Sequence, residues 1–210
     1  MKKETPYNPL DKKNLGISVA DALLTRPLGL LPPEVKFIGA GVYAIYYVGT
    51  YQAYRQIAKE NNDGRFRMPI YVGKAVPPGA RKGGFGLGED PGAALYNRLN
   101  EHAESIRQAN NLNIADFHCR YLVVDDIWIP LGESLLIEMF SPVWNKVTDG
   151  FGNHDPGKGR YNQQRSAWDT LHPGRSWAAK CKENIKTVRE LQEELQSFIA
   201  KTESAGKALT

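Results

Sequence analysis

Two short runs near the middle of the chain restrict its fold more than any other feature of the sequence. Residues 37–48 are dense in β-branched and aromatic side chains and are bounded by glycines, and residues 69–74 repeat that character on a smaller scale. Both read as strands. The turn signal Asn61-Asn62-Asp63-Gly64 lies between them, after a short helix predicted over residues 50–59, so the two strands are expected to pair antiparallel. A third strand is predicted over residues 116–125, with Phe117, Cys119, Tyr121 and Val123 at every second position. Helical periodicity falls on residues 93–108, with Leu95, Leu99 and Ile106 on one face, and on the apolar run 130–140, stopped by Ser141-Pro142. The expected fold class is α+β: a small three-stranded, mostly antiparallel sheet flanked by helices, with inserted loops and a C-terminal helix.

The remaining segments are organised around that core. Residues 1–35, with prolines at 6, 9, 27, 32 and 33, read as an N-terminal arm holding one short helix at 18–24. Residues 36–148 form the expected core, interrupted by the loop 76–92, whose Pro77-Pro78-Gly79 and Gly83-Gly84-Phe85-Gly86 suit neither helix nor strand. Residues 149–210 combine a Gly-rich polar stretch with an amphipathic helix predicted over 177–201. Its stripe of Ile185, Val188, Leu191, Leu195, Phe198 and Ile199 packs either on its own domain or at a dimer interface. Hydrophobic residues make up 41% of the 210, enough for one core, and the net charge of +4 is compatible with a polyanionic partner without establishing one. Cys119 and Cys181 have no metal-ligand spacing and read as reduced and structural. No signal peptide follows Met1, and no run reaches the ~18 apolar residues of a membrane span, so a cytoplasmic protein is expected.

The chemistry lies in the order of a few polar residues. Gly41-Val42-Tyr43 comes first and Tyr71-Val72-Gly73-Lys74 second. Arg98 follows on the predicted helix, with His102 one turn later on the same face. Glu133 opens the next helix, and Asn145 comes twelve residues after it in Pro142-Val143-Trp144-Asn145. Each piece is weak alone. Tyr43 and Tyr71 suit any core strand, Arg98 any solvated helix face, and Glu133 any helix N-terminus. A second Tyr-Val-Gly, at Tyr47-Val48-Gly49, lacks the lysine and lies too close to Tyr43 to be a separate strand.

Taken together, residues 37–147 resemble the GIY-YIG nuclease superfamily, with valine in place of both motif isoleucines. The resemblance implies hydrolysis of phosphodiesters in DNA, with Tyr43, Tyr71, Lys74, Arg98, His102, Glu133 and Asn145 as the site residues. Tyr43 is implied to activate the attacking water, and His102 to take a proton from a tyrosine hydroxyl or a water. A free phenol has a pKa of about 10, so Tyr43 needs such a neighbour. Arg98 can fork two donors onto a phosphate. Tyr71 and Lys74 are implied to orient the phosphate, and Asn145 to support the site. Glu133 is the implied ligand of a single Mg²⁺ or Mn²⁺, hard cations that accept one carboxylate and retain waters.

Base recognition requires further groups. Two insertions offer them: Arg81 and Lys82 in the loop 76–92, and Lys158, Arg160, Gln163, Gln164, Arg165 and Arg175 in residues 151–177. The second could equally be a polar surface loop. No zinc finger or helix-turn-helix is appended, which is unlike modular homing nucleases. The chain most resembles the type II restriction endonucleases of the superfamily, in particular the kind that cut CCGCGG. That implies a prokaryotic cytoplasm, double-stranded DNA as substrate, a homodimer matching a palindrome, and a cognate DNA methyltransferase in the same system. The competing readings are a repair or mobile-element nuclease, and a nuclease-derived DNA-binding protein without catalysis.

Overall fold

The computed structural model describes residues 8–77 and 90–207. Its centre is strand β2 (Gly41–Tyr47), flanked by β3 (Pro69–Ala75) on one side and β4 (Phe117–Val123) on the other, both antiparallel to it. A two-residue strand, β1 (Gly29–Leu30), adds to the outer edge of β4, giving the order β1-β4-β2-β3. The sheet therefore has four strands rather than the three expected. The extra one comes from the segment read as irregular, where two residues cannot show an alternating pattern.

Every residue of β2 is buried, so both faces of the sheet are covered. Val42, Ala44 and Tyr46 point into a core with Ala20, Leu23, Ile129 and Leu136. These come from helices α1 (Lys12–Leu24) and α4 (Ile129–Phe140). The α1 helix starts earlier than predicted because Asp11 caps it, accepting a hydrogen bond from the Lys13 amide at 2.8 Å. Tyr43, Ile45 and Tyr47 point the other way, into a larger core. It is built from α3 (Ala94–Gln108), the short helices α2 (Arg55–Asn61), α5 (Val143–Lys146) and α6 (Ala167–Leu171), and α7 (Val188–Lys207). Period-two alternation in one strand thus sorts the helices into two layers.

The C-terminal helix begins at Val188 rather than 177. A capping box sets its start: the Thr187 amide donates to Glu190 Oε2 at 2.7 Å, and the Glu190 amide donates to Thr187 Oγ1 at 3.3 Å. Leu191, Leu195 and Ile199 are buried in the larger core, whereas Ile185 and Val188 are exposed. The apolar stripe therefore packs on its own chain. Both cysteines are free and buried, and no helix among the described residues is long and apolar enough to cross a membrane. Because Leu195 is fully buried, Leu195→Ala is expected to lower unfolding free energy by about 2–5 kcal/mol in a single transition, measured by urea denaturation. A separate early transition of the C-terminal segment would contradict one shared core.

Candidate active site

Tyr43 lies on the central strand and is fully buried, so its hydroxyl must find a partner inside the protein. His102 supplies it, with Tyr43 Oη 2.6 Å from His102 Nε2. The room for this phenol comes from Gly73, which stands opposite Tyr43 in the β2–β3 register. A Cβ on Gly73 would lie 2.6 Å from Tyr43 Cζ and 2.9 Å from Tyr71 Cε1. The glycine of the second motif is thus a steric requirement. Tyr71, two residues before it, brings its ring to 6.2 Å from that of Tyr43 and 5.1 Å from that of His102.

Burial sets the protonation states. It raises the Tyr43 hydroxyl well above its ordinary value, helped by the neighbouring Tyr71, and raises Tyr71 as well. It pushes His102 well below its ordinary value, and the positive charge of Arg98 adds to this. The pair is therefore neutral phenol and neutral imidazole at pH 7, joined by one short hydrogen bond.

Arg98 sits one turn before His102 on α3. Its Nη1 donates to Glu101 Oε2 at 2.8 Å and lies 2.9 Å from His154 Nε2, and its Nη2 donates to the Gly152 carbonyl at 3.1 Å. Lys74 and Glu133 form an ion pair, with Nζ 2.6 Å from Oε2, at the part-exposed side of the same cluster. Glu133 acts electrostatically on both tyrosines, raising each. Among the described residues no three His, Cys, Asp or Glu side chains gather into a metal cage. One carboxylate beside Arg98 and Lys74 suits a hard cation that takes few protein oxygens and keeps its waters.

Asn145 acts on backbone. Its Oδ1 accepts from the Val72 amide and its Nδ2 donates to the Val72 carbonyl, both at 2.8 Å. It therefore pins β3 between the two tyrosine-motif residues Tyr71 and Gly73. The look-alike Tyr47-Val48-Gly49 is structural, since Tyr47 Oη accepts the Tyr51 amide at 2.8 Å.

The basic residues of the insertions divide. Lys158, Arg160, Gln163 and Gln164 are exposed. Arg165 is half-buried and donates through Nε to the Ala178 carbonyl at 3.0 Å. Arg81 and Lys82 lie outside the described residues. Arg175 departs from its expected place at a DNA surface. It is 2% exposed and forms a two-pronged pair with Asp169, at 2.6 and 2.7 Å. With its charge matched internally, it has no face to offer a nucleic acid.

The sequence marks residues 149–177 as a Gly-rich polar insertion but gives no sign that its first turn packs on His102. Phe151 is buried and stacks on His102, with ring centroids 4.5 Å apart and planes at 15°. No sequence signal separates such a phenylalanine from any other in a Gly-rich turn. A second tyrosine–histidine pair was missed too. Tyr54 Oη lies 2.6 Å from His172 Nε2 and accepts from Trp144 Nε1 at 2.9 Å. His172 Nδ1 lies 2.9 Å from Asn111 Oδ1, which can only accept, so Nδ1 carries the proton and Nε2 accepts from Tyr54. Burial lowers His172 to about 3.

Both histidines have folded values below their unfolded ones, so each contributes stability that is complete above about pH 6.5 and is lost as pH falls. Unfolding free energy should fall by up to about 1.4 kcal/mol per pH unit per histidine below that point. Chemical denaturation between pH 7 and pH 4 measures it, and His172→Gln should flatten the slope.

The family described as the Eco29kI GIY-YIG domain matches residues 35–199. Comparison with curated proteins finds no match.

Proposed function

This chain belongs to the Eco29kI GIY-YIG family of type II restriction endonucleases, a family of nucleases acting on DNA, and from that premise we propose that it cleaves double-stranded DNA at a short palindrome. The observation that carries the reading is the buried 2.6 Å hydrogen bond between Tyr43 and His102 beside Arg98.

Hydrolysis needs a water stripped of a proton, a neutralised phosphate and a stabilised leaving oxygen. A tyrosine raised above its ordinary value is not a base on its own. Passing its proton to His102 Nε2 while accepting one from water lets Tyr43 act without ever carrying a full charge. This route requires the His102 tautomer with the proton on Nδ1. Arg98 would exchange Glu101 or His154 for phosphate oxygens, since its guanidinium faces both side chains. Lys74 and Tyr71 would orient the same phosphate, and Asn145 would hold the strand that carries them.

Glu133 would hold one Mg²⁺ or Mn²⁺, which supplies charge neutralisation on the phosphate and the leaving oxygen. Direct attack by water gives 5′-phosphate and 3′-hydroxyl ends. One such site per chain and a palindromic target call for a homodimer. Lys158, Arg160, Gln163, Gln164 and Arg165, together with Arg81 and Lys82, are the proposed DNA contacts, and CCGCGG is the proposed target. A cognate methyltransferase in the same cell would protect host DNA without binding this protein.

Incubation with unmethylated phage DNA and Mg²⁺ should give discrete fragments, and a smear or intact DNA would refute site-specific cleavage. Glu133→Ala should abolish cleavage while DNA binding survives. Tyr43→Phe and His102→Ala should each slow cleavage by roughly 10²- to 10⁴-fold. Because His102 is needed neutral and is held below its ordinary value, the acid limb of the rate profile should fall below pH 6.5.

A further inference from the structure

Arg175 is the most completely partnered charge among the described residues. An arginine has five N–H donors, and here all five are used. Nε and Nη2 bind the two carboxylate oxygens of Asp169 at 2.6 and 2.7 Å. The other three go to one loop. Nη2 donates to the Gly150 carbonyl at 2.8 Å, and Nη1 donates to the carbonyls of Phe151 and Asn153 at 3.2 and 3.0 Å. The guanidinium also lies over the rings of Trp168 and Trp177, at 4.5 and 4.8 Å.

That same loop touches the site at three points. Phe151 stacks on the His102 ring at 4.5 Å. The Gly152 carbonyl accepts from Arg98 Nη2 at 3.1 Å, and His154 Nε2 lies 2.9 Å from Arg98 Nη1. The approach is close: a Cβ on Gly152 would lie 2.8 Å from Arg98 Nη2 and 3.4 Å from the Tyr71 hydroxyl. A buried ion pair by itself contributes little net stability. Three bonds to the carbonyls of one loop instead fix where that loop sits.

We propose that Arg175, braced by Asp169, is a positioning residue for DNA cleavage, holding the loop 150–154 so that it aims the Arg98 guanidinium and seals the His102 ring from water. The proposal rests on the nuclease reading above and adds to it a residue that touches neither substrate nor reacting atoms. Lysine cannot replace arginine here, because three donors on one nitrogen cannot span two carboxylate oxygens and three carbonyls.

The test compares Arg175→Lys and Gly152→Ala with the wild-type protein. Misplacement on the ångström scale costs on the order of 100-fold in rate. Both variants should therefore lose roughly that factor in single-turnover cleavage, with duplex affinity measured in EDTA unchanged. A merely structural role would not separate rate from binding in this way. The His102 ring provides a readout that needs no cleavage. It faces Tyr43 and Tyr71 from the sheet, Arg98 on its own helix, and His154 and Arg175 from the loop side. In Arg175→Lys its NMR titration should move up toward the ordinary histidine value as water reaches the loosened ring.

Wild-type cleavage rates in both variants would overturn the proposal, as would an unmoved His102 titration in folded Arg175→Lys. Should Arg175→Lys fail to fold, Gly152→Ala decides alone, and a wild-type rate there overturns the proposal. Should the wild-type protein cut no duplex at all, the nuclease reading fails, and the His102 titration still decides whether Arg175 positions the loop.

Discussion

The structure depends on one buried polar contact, the hydrogen bond from the Tyr43 phenol to His102. A hydroxyl on the central strand of a fully covered sheet costs about 1–3 kcal/mol if left without a partner. Meeting that demand draws the other elements together. Helix α3 must cross the sheet where His102 reaches Tyr43, Gly73 must lack a side chain, and Phe151 must close the other face of the imidazole. Residues scattered over a hundred positions belong together because each answers the same desolvated pair.

A second tyrosine–histidine pair shows what is particular about the setting of the first. Tyr54 and His172 share the same 2.6 Å separation. There, however, Trp144 fills the phenol's acceptor site and Asn111 fixes the imidazole proton, so every hydrogen-bonding site in the chain is taken. The Tyr43 pair instead ends beside Arg98 and the Lys74–Glu133 ion pair, which are part-exposed and charged. Identical partners thus lie in two settings: one chain of bonds ends inside the protein, and the other ends beside charged groups that reach the surface.

Much of this was legible before the structure. Period-two and period-3.6 patterns place β3, β4, α3 and α4 within a residue or two of where they lie, whereas β2 starts at Gly41, four residues later than expected. The order of the tyrosine, arginine and glutamate positions identified the elements that converge. Other features had no local signal. Two-residue β1 is too short to show a pattern, and the start of α7 is set by Thr187 and Glu190, which lie inside the span read as continuous helix. By residue type Arg175 suits a DNA contact. Its burial depends on Asp169 turning to meet it across the end of α6, which charge and spacing do not reveal. Asn145 was placed at the site by position, but its grip on the Val72 peptide appears only in three dimensions.

That grip has a consequence at the rim of the sheet. β3 is an edge strand, and an edge strand offers a row of unsatisfied peptide groups to any other chain. Asn145 occupies both groups of Val72 midway along that row, mimicking a neighbouring strand with a single side chain. The opposite edge is only two residues long. A strand of another chain would have to displace Asn145 before it could extend the sheet at Val72, so that point of the rim is already taken by the chain itself.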